Sequence, residues 1–158
     1  MKLKLIQIGK TDDVWLRDGI TIYEKRIINY LPFKTITIPS PKFQKQTAIG
    51  LMKKKEAELI LNQVGPRDHV ILLDEKGKEF RSVEFARHMQ ELVMNTGITD
   101  LLFIIGGPYG FHEQIYQRAN AQISLSKMTF SHQMIRLIFI EQLYRAMSIL
   151  KAEPYHHE

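Results

Sequence analysis

Two strand-length segments of this chain are apolar at almost every position: His69-Val70-Ile71-Leu72-Leu73-Asp74 and Leu101-Leu102-Phe103-Ile104-Ile105. A strand with one wet face alternates apolar and polar residues. A strand without that alternation needs cover on both faces, which is the condition inside a parallel sheet flanked by helices. The second segment runs directly into Gly106-Gly107, so an apolar core strand ends abruptly in a loop with little side chain.

The surrounding pattern supplies the cover. Leu3 to Ile8 alternates loosely and stops at Gly9, which predicts a first strand. Asp12 or Asp13 can cap a helix carrying Trp15, Leu16, Ile20, Tyr23 and Ile27 on one face, with Pro32 as its stop. Thr35-Ile36-Thr37-Ile38 is β-branched and bounded by Pro39, hence a second strand. A polar loop leads to a lysine-rich helix over 48–63, closed by Gly65-Pro66. Ser82 can cap a helix with Phe85, Met89 and Leu92 at helical spacing, closed by Asn95 and Gly97. A short helix, a strand at 123–126 and a final helix over 131–150 complete the chain. Strands alternate with helices throughout. The expected fold is α/β, with a mainly parallel sheet and helices on both faces. At 158 residues, with no repeat, linker or low-complexity stretch, residues 1–158 read as one domain.

In open α/β sheets, ligands bind outside the carboxyl ends of the strands. Three such ends stand out: Leu73-Asp74-Glu75-Lys76-Gly77, Gly106-Gly107-Pro108-Tyr109-Gly110, and Leu125-Ser126-Lys127-Met128-Thr129-Phe130. The glycine loop is either a tight turn or a place where backbone approaches a ligand closely. It is not a dinucleotide fingerprint, because Pro108 stands where the second glycine belongs, and no Gly-Lys-Ser/Thr follows for a phosphate loop. Asp74 and Glu75 resemble the end of an ATPase strand, but without a phosphate loop they read as solvated residues. The third loop is either a connection with Met128 and Phe130 tucked inward, or a wrap for a flat heterocycle.

The final helix is apolar nearly all round. Phe139, Ile140, Leu143, Met147 and Leu150 form a broad face, while Glu141, Gln142, Arg145 and Ser148 gather opposite. One sheet cannot easily cover so much, which predicts a homodimer built partly on this helix. Arg136 lies on the apolar face. It is either half of a buried ion pair or a group reaching back to the strand ends to hold a phosphate or carboxylate. Glu141 and Arg145 have the spacing of a surface pair. The tail Tyr155-His156-His157 could fray or close over a neighbouring site.

Charge and composition narrow the function classes. The net charge of +5 favours an acidic partner such as nucleic acid. The absence of cysteine excludes disulfides and thiolate chemistry and fits a reducing, cytoplasmic setting. No apolar run approaches the roughly 18 residues of a membrane span, and the first residues are too briefly apolar for a signal peptide. The six histidines show no H-E-x-x-H spacing, so no metal site is expected.

Gly106-Gly107-Pro108-Tyr109-Gly110, the run from Leu125 to Arg136, the segment Ile140-Glu141-Gln142-Leu143-Tyr144-Arg145-Ala146 and the ending Pro154-Tyr155-His156 together resemble the RlmH (YbeA) family of SPOUT-class methyltransferases. The likeness extends over essentially the whole chain. It implies a SPOUT-type fold with a trefoil knot in the carboxyl-terminal half, and a homodimer. It implies S-adenosylmethionine as cofactor, contacted by Leu73, Gly106, Leu125, Ser126, Lys127, Met128, Thr129 and Phe130. It implies methylation at N3 of pseudouridine 1915, in helix 69 of the large-subunit 23S ribosomal RNA, on assembled ribosomes. Within that reading His156 is the expected general base and Tyr155 the platform for the flipped base, with Arg136, Glu141 and Arg145 completing the site. Relatives often carry Arg or Lys where this chain has His157, so a fixed positive charge there is not expected to be essential. Three other readings are open: another RNA base as target, a non-catalytic RNA-binding protein, and a nucleotide-binding regulator.

Overall fold

The structure, a computed structural model, describes residues 1–157. Ten elements follow in order: β1 Leu3–Ile8, α1 Val14–Ile27, β2 Phe33–Ile38, α2 Ile49–Leu61, β3 His69–Glu79, α3 Ser82–Met94, β4 Leu101–Ile105, α4 Glu113–Arg118, β5 Ala121–Ser124 and α5 Met134–Leu150. The five strands form one sheet in the order β2-β1-β4-β3-β5, every neighbouring pair parallel. The fold class is the expected one.

Handedness explains which helix covers which face. The steps β1 to β2 and β3 to β4 move one way along the sheet, whereas β2 to β3 and β4 to β5 move the other way. Right-handed crossovers then put α1 and α3 on one face and α2 and α4 on the opposite face. The two apolar clusters follow this division. One gathers Ile20, Phe85, Met89, Phe139 and Leu143 from α1, α3 and α5. The other gathers Ala57, Ile60 and Ile115 from α2 and α4. β4 lies between β1 and β3, and all five of its residues are buried. This is why its sequence shows no alternation.

Three local expectations change. Trp15 was placed with Leu16 and Ile20 on the inner face of α1, but it is 58% exposed. α3 begins at Ser82 with Arg81 in the cap position, where the Glu84 carboxylate accepts from the Arg81 amide at 2.9 Å. Ser148 is fully buried and donates to the Arg145 carbonyl at 2.8 Å, so a polar residue on α5 is satisfied by its own helix.

β3 is longer than its apolar core. It bulges after Leu73 and resumes at Lys78, so both Leu73 and Lys78 pair opposite Ile123 of β5. Gly77 permits this. A Cβ there would stand 2.5 Å from the Ile123 amide nitrogen and 2.6 Å from the Gln122 carbonyl carbon. Two backbone segments therefore cross almost in contact, and only glycine leaves room. No helix among the described residues is long and apolar enough to cross a membrane.

Candidate active site

The three strand ends singled out from the sequence meet in one place. A cavity of about 820 Å³ opens at the carboxyl ends of β3, β4 and β5. That lies within the roughly 300–1,000 Å³ typical of small-molecule sites. Leu73, Gly106, Leu125, Ser126, Met128, Thr129 and Phe130 line it; of the residues expected to contact a cofactor, only Lys127 does not.

Each wall has a local cause. After β4 the chain turns at Gly106-Gly107-Pro108-Tyr109-Gly110, closed by a Gly110 N–H to Gly107 carbonyl bond of 3.1 Å, with Gly110 at φ +80°. After β5, the Ser124 hydroxyl donates to the Ser126 carbonyl at 2.7 Å, and the Ser126 hydroxyl accepts from the Met128 amide at 2.9 Å. This serine pair curls the loop back on itself and leaves Met128 78% exposed at the mouth of the cavity. Of the two readings of that loop, the inward tuck of Met128 does not occur. Ser131 then accepts from the Met134 amide at 3.0 Å and starts α5.

The cavity also holds groups that the sequence reading passed over. Asp74 is not simply solvated: Tyr116 donates to its carboxylate, and the Lys76 amide does so at 2.9 Å. Burial, then the neighbouring Asp74 carboxylate, pushes the Tyr116 hydroxyl well above its usual range. His132 lines the same cavity, its pKa lowered by burial and then by the Arg136 guanidinium. The short polar run 74–76 was the one available signal for an anchored carboxylate. The acidic Asp74 and Glu75 beside an apolar loop suit a positively charged, partly aromatic ligand.

Arg136 does not face this cavity as an anion holder. It is 1% exposed, and its Nη1 donates to the Gly9 carbonyl and the Thr11 hydroxyl, both at 3.0 Å. Its Nη2 donates to the Ile8 carbonyl at 2.7 Å, while Nε has no partner. Neither expected arrangement is present, because main-chain oxygens at the end of β1 hold the charge instead of a carboxylate or ligand. The cation stitches α5 to the end of β1. Gln133 adds to the stitch, accepting from the Asp12 amide at 2.8 Å and donating to the Lys10 carbonyl at 3.1 Å.

The remaining site residues gather in a second cluster on the α1–α5 face. Glu141 is its hub. Its Oε1 accepts from Arg145 Nη2 at 2.6 Å, from Arg145 Nε at 3.1 Å and from the Tyr155 hydroxyl at 3.0 Å. Its Oε2 accepts from the Gln142 amide at 2.7 Å. Tyr155 also meets the Tyr23 hydroxyl at 3.1 Å, packs edge-on to Tyr144 at 4.7 Å, and carries the Arg145 guanidinium 4.9 Å from its ring centre. A ring so engaged anchors the tail and is not a free platform for a base. Arg145, committed to Glu141, is likewise not a free phosphate cation. The expected surface pair is instead the half-buried centre of a network.

That network determines what His156 can offer. Arg145 Nη1 lies 3.4 Å from His156 Nδ1. Guanidinium has only donors, so Nδ1 accepts, and the neutral ring carries its hydrogen on Nε2. A general base needs a lone pair on the outward nitrogen. Here that nitrogen presents an N–H, so the arrangement supplies a donor where a base was expected.

α5 also differs from the picture of an exposed interface helix. Every residue of α5 is buried or half-buried, because α1 and α3 flank it. The apolar surface left outside on this face belongs to α1, as Val14, Trp15, Ile22 and Ile28. Among the described residues, no three carboxylate or imidazole groups gather as a metal site.

Comparison with known proteins agrees with this geometry. Residues 1–156 match the family model described as "Predicted SPOUT methyltransferase". The chain is 53% identical, over 158 residues and the full length of both chains, to a Parabacteroides distasonis protein named Ribosomal RNA large subunit methyltransferase H. It is 54% identical over 157 residues, 99% of each chain, to the protein of that name from Christiangramia forsetii. A solved structure of a probable methyltransferase from Bordetella pertussis Tohama I aligns with TM-score 0.56 at 9% identity, covering 92% of this chain and 96% of that one, which is a likeness of fold. A glycine-lined cavity at the carboxyl ends of a parallel sheet, in a chain matched from end to end, has one family assignment: this protein belongs to the SPOUT methyltransferases.

Proposed function

We propose that this methyltransferase transfers a methyl group from S-adenosylmethionine to N3 of a pseudouridine in helix 69 of the large-subunit ribosomal RNA, on assembled ribosomes in the cytoplasm. The observation that carries the reading is full-length identity above half to proteins named as large-subunit ribosomal RNA methyltransferases. The cavity fits the cofactor. Its volume suffices, the 125–130 loop and Gly106 can enclose a heterocycle, and Asp74 supplies a fixed carboxylate near a positive charge. The close crossing of β5 past Gly77 supports the knotted path that the family resemblance implies.

When bound, S-adenosylmethionine supplies an electrophilic methyl group. The residues of this chain contribute alignment and exclusion of water more than covalent chemistry. Leu73, Gly106 and the loop 125–130 hold the donor, with Lys127 acting from outside the cavity. The His156 Nε2–H donates to a base carbonyl beside N3. It thereby stabilises the negative charge that appears as N3 gives its proton to water and takes the methyl. Glu141, Arg145 and Tyr155 hold His156 in place. Arg136 supports the site from beneath α5. The protein acts as a homodimer, supported by the outward apolar residues of α1.

The test is transfer of labelled methyl from S-adenosylmethionine to ribosomes lacking the modification, with the site mapped by reverse-transcriptase stops. A stop in helix 69 that disappears when the pseudouridine synthase is absent is the expected result. Label on another base would keep the reaction and replace the target. No transfer and no cofactor binding would overturn the reading.

A further inference from the structure

A second cavity, of about 550 Å³, lies beside the first. Ile123, Ser124 and Leu125 line both, so a wall no thicker than the end of β5 separates them. Its other walls come from the start of α3 (Phe80, Arg81, Ser82, Val83), the middle of α5 (Ile138, Gln142) and the tail (His156, His157). The tail that closes this cavity is fixed by the Glu141 network, not left loose.

We propose that this second cavity receives the target nucleotide, flipped out of its RNA strand, with its base edge against Gln142 and His156 and its phosphate at Arg81. The inference rests on the proposed methylation of RNA and adds where the base sits. Three features carry it. Phe85 and Ile123 are buried apolar floor, suited to the face of a heterocycle. Directional polar groups converge on it: the Gln142 side chain, held by Glu141 at 2.7 Å and by the Ser82 hydroxyl at 3.5 Å, and His156 with its Nε2 hydrogen free. Both can address the carbonyl oxygens of a pyrimidine ring. The mouth is basic, with exposed Arg81 and His157 and with the Lys78 ammonium 4.6 Å from the Phe80 ring centre. An anionic strand is thereby matched at the rim and an uncharged base inside. The shared wall at Leu125 brings the base beside the methyl donor, as a direct in-line displacement requires: N3 bonds to the methyl carbon, the carbon–sulfur bond breaks, its electron pair stays on sulfur, and the N3 proton leaves to water.

The test fills the cavity. Ser82→Trp, and independently Val83→Trp, put an indole where the base would lie, at a helix start that tolerates a large side chain. Each variant is assayed on ribosomes lacking the modification, alongside cofactor affinity by calorimetry and oligomeric state by light scattering. The expected result is cofactor affinity within about twofold of wild type, an unchanged oligomer, and methyl transfer reduced at least about 100-fold. Arg81→Glu is expected to raise KM for ribosomes, with kcat retained and a shallower salt dependence. Filled variants that methylate at the wild-type rate would overturn the pocket while leaving the function intact. Filled variants that lose dimer or cofactor would also overturn it, assigning the cavity to a second copy or to the donor site. Wild-type protein inert on every ribosomal RNA would overturn both the function and this pocket.

Discussion

Replacing Arg136 with Met keeps the length and apolar stem of the side chain and removes its donors. The structure predicts a stability defect with the chemistry spared. Three bonds disappear, to the carbonyls of Ile8 and Gly9 and to the Thr11 hydroxyl. Removing a buried guanidinium also relieves a desolvation cost of several kcal/mol, which burial already expresses as a lowered pKa. The net effect is set by what stays behind. Two carbonyl oxygens lose their donor, at about 1–3 kcal/mol each, giving a central expectation of about 4 kcal/mol. At about 2–4 °C per kcal/mol for a chain of this size, the melting temperature should fall by about 8–16 °C. Arg136→Lys, which keeps the charge but cannot fork, should lose about half as much by the same reasoning. Urea unfolding followed by circular dichroism, at fixed protein concentration, measures the loss. Methyl transfer well below the melting point should stay within a few-fold of wild type. An Arg136→Met protein that melts within about 2 °C of wild type, yet no longer methylates, would refute the structural role and restore Arg136 as an anion-holding group.

Other outcomes follow from particular contacts. Gly77→Ala sets a Cβ 2.5 Å from backbone that cannot swing aside, so the variant should lose about 3 kcal/mol or more, or fail to fold, as judged by soluble yield and denaturant midpoint. His156→Gln keeps an N–H donor but has no imidazole base; it should retain methyl transfer within about tenfold, whereas His156→Phe should lose it. If the Gln and Phe variants are equally inactive, the donor role fails. Tyr155→Phe removes the bonds to Glu141 and Tyr23 and should cost about 0.5–1.5 kcal/mol, weakening methyl transfer without changing cofactor affinity. Burial holds the pKa values of His69, His88 and His132 below the ordinary histidine value, so the unfolded chain binds more protons than the folded one near pH 6. Their contribution to stability is full above pH about 6.5 and is lost as pH falls toward their lowered values. Denaturant midpoints should therefore drop between pH 7.5 and 5.5, and replacing all three with Gln should flatten the slope.

What could be read from the sequence depended on the range of the forces involved. Unbroken apolarity in 70–73 and 101–105 reports burial on two faces, so the parallel sheet and its ligand-binding edge were visible before any contact was known. The continuation of β3 through Asp74-Glu75-Lys76-Gly77-Lys78-Glu79 was not visible. Those residues have loop composition and are strand only because β5, some 45 residues later, lies against Gly77. Trp15 failed for a related reason. A 3.6-residue period marks an apolar stripe but not its edge, and the inner stripe of α1 ends at Leu16.

The apolar girth of α5 shows the same limit from the other side. All-round apolarity means cover on several sides, and the sequence does not say whether a second subunit or the protein's own helices provide it. Here α1 and α3 provide it, and the exposed surplus moves outward to α1. The roles of the site residues were hardest to read, because role depends on partners far away in sequence. Tyr23 and Tyr155 meet across 132 positions, and Arg136 and Ile8 across 128. Residue type alone makes His156 a base, Tyr155 a stacking ring and Arg145 a phosphate cation. Once Glu141 binds both Tyr155 and Arg145, the charge of Arg145 is spent inside the network, the ring of Tyr155 is packed, and His156 is left holding its hydrogen outward. The same residues remain at the site, but the network turns them from independent reagents into one rigid donor surface, aimed at a base whose own acidity then carries the proton transfer.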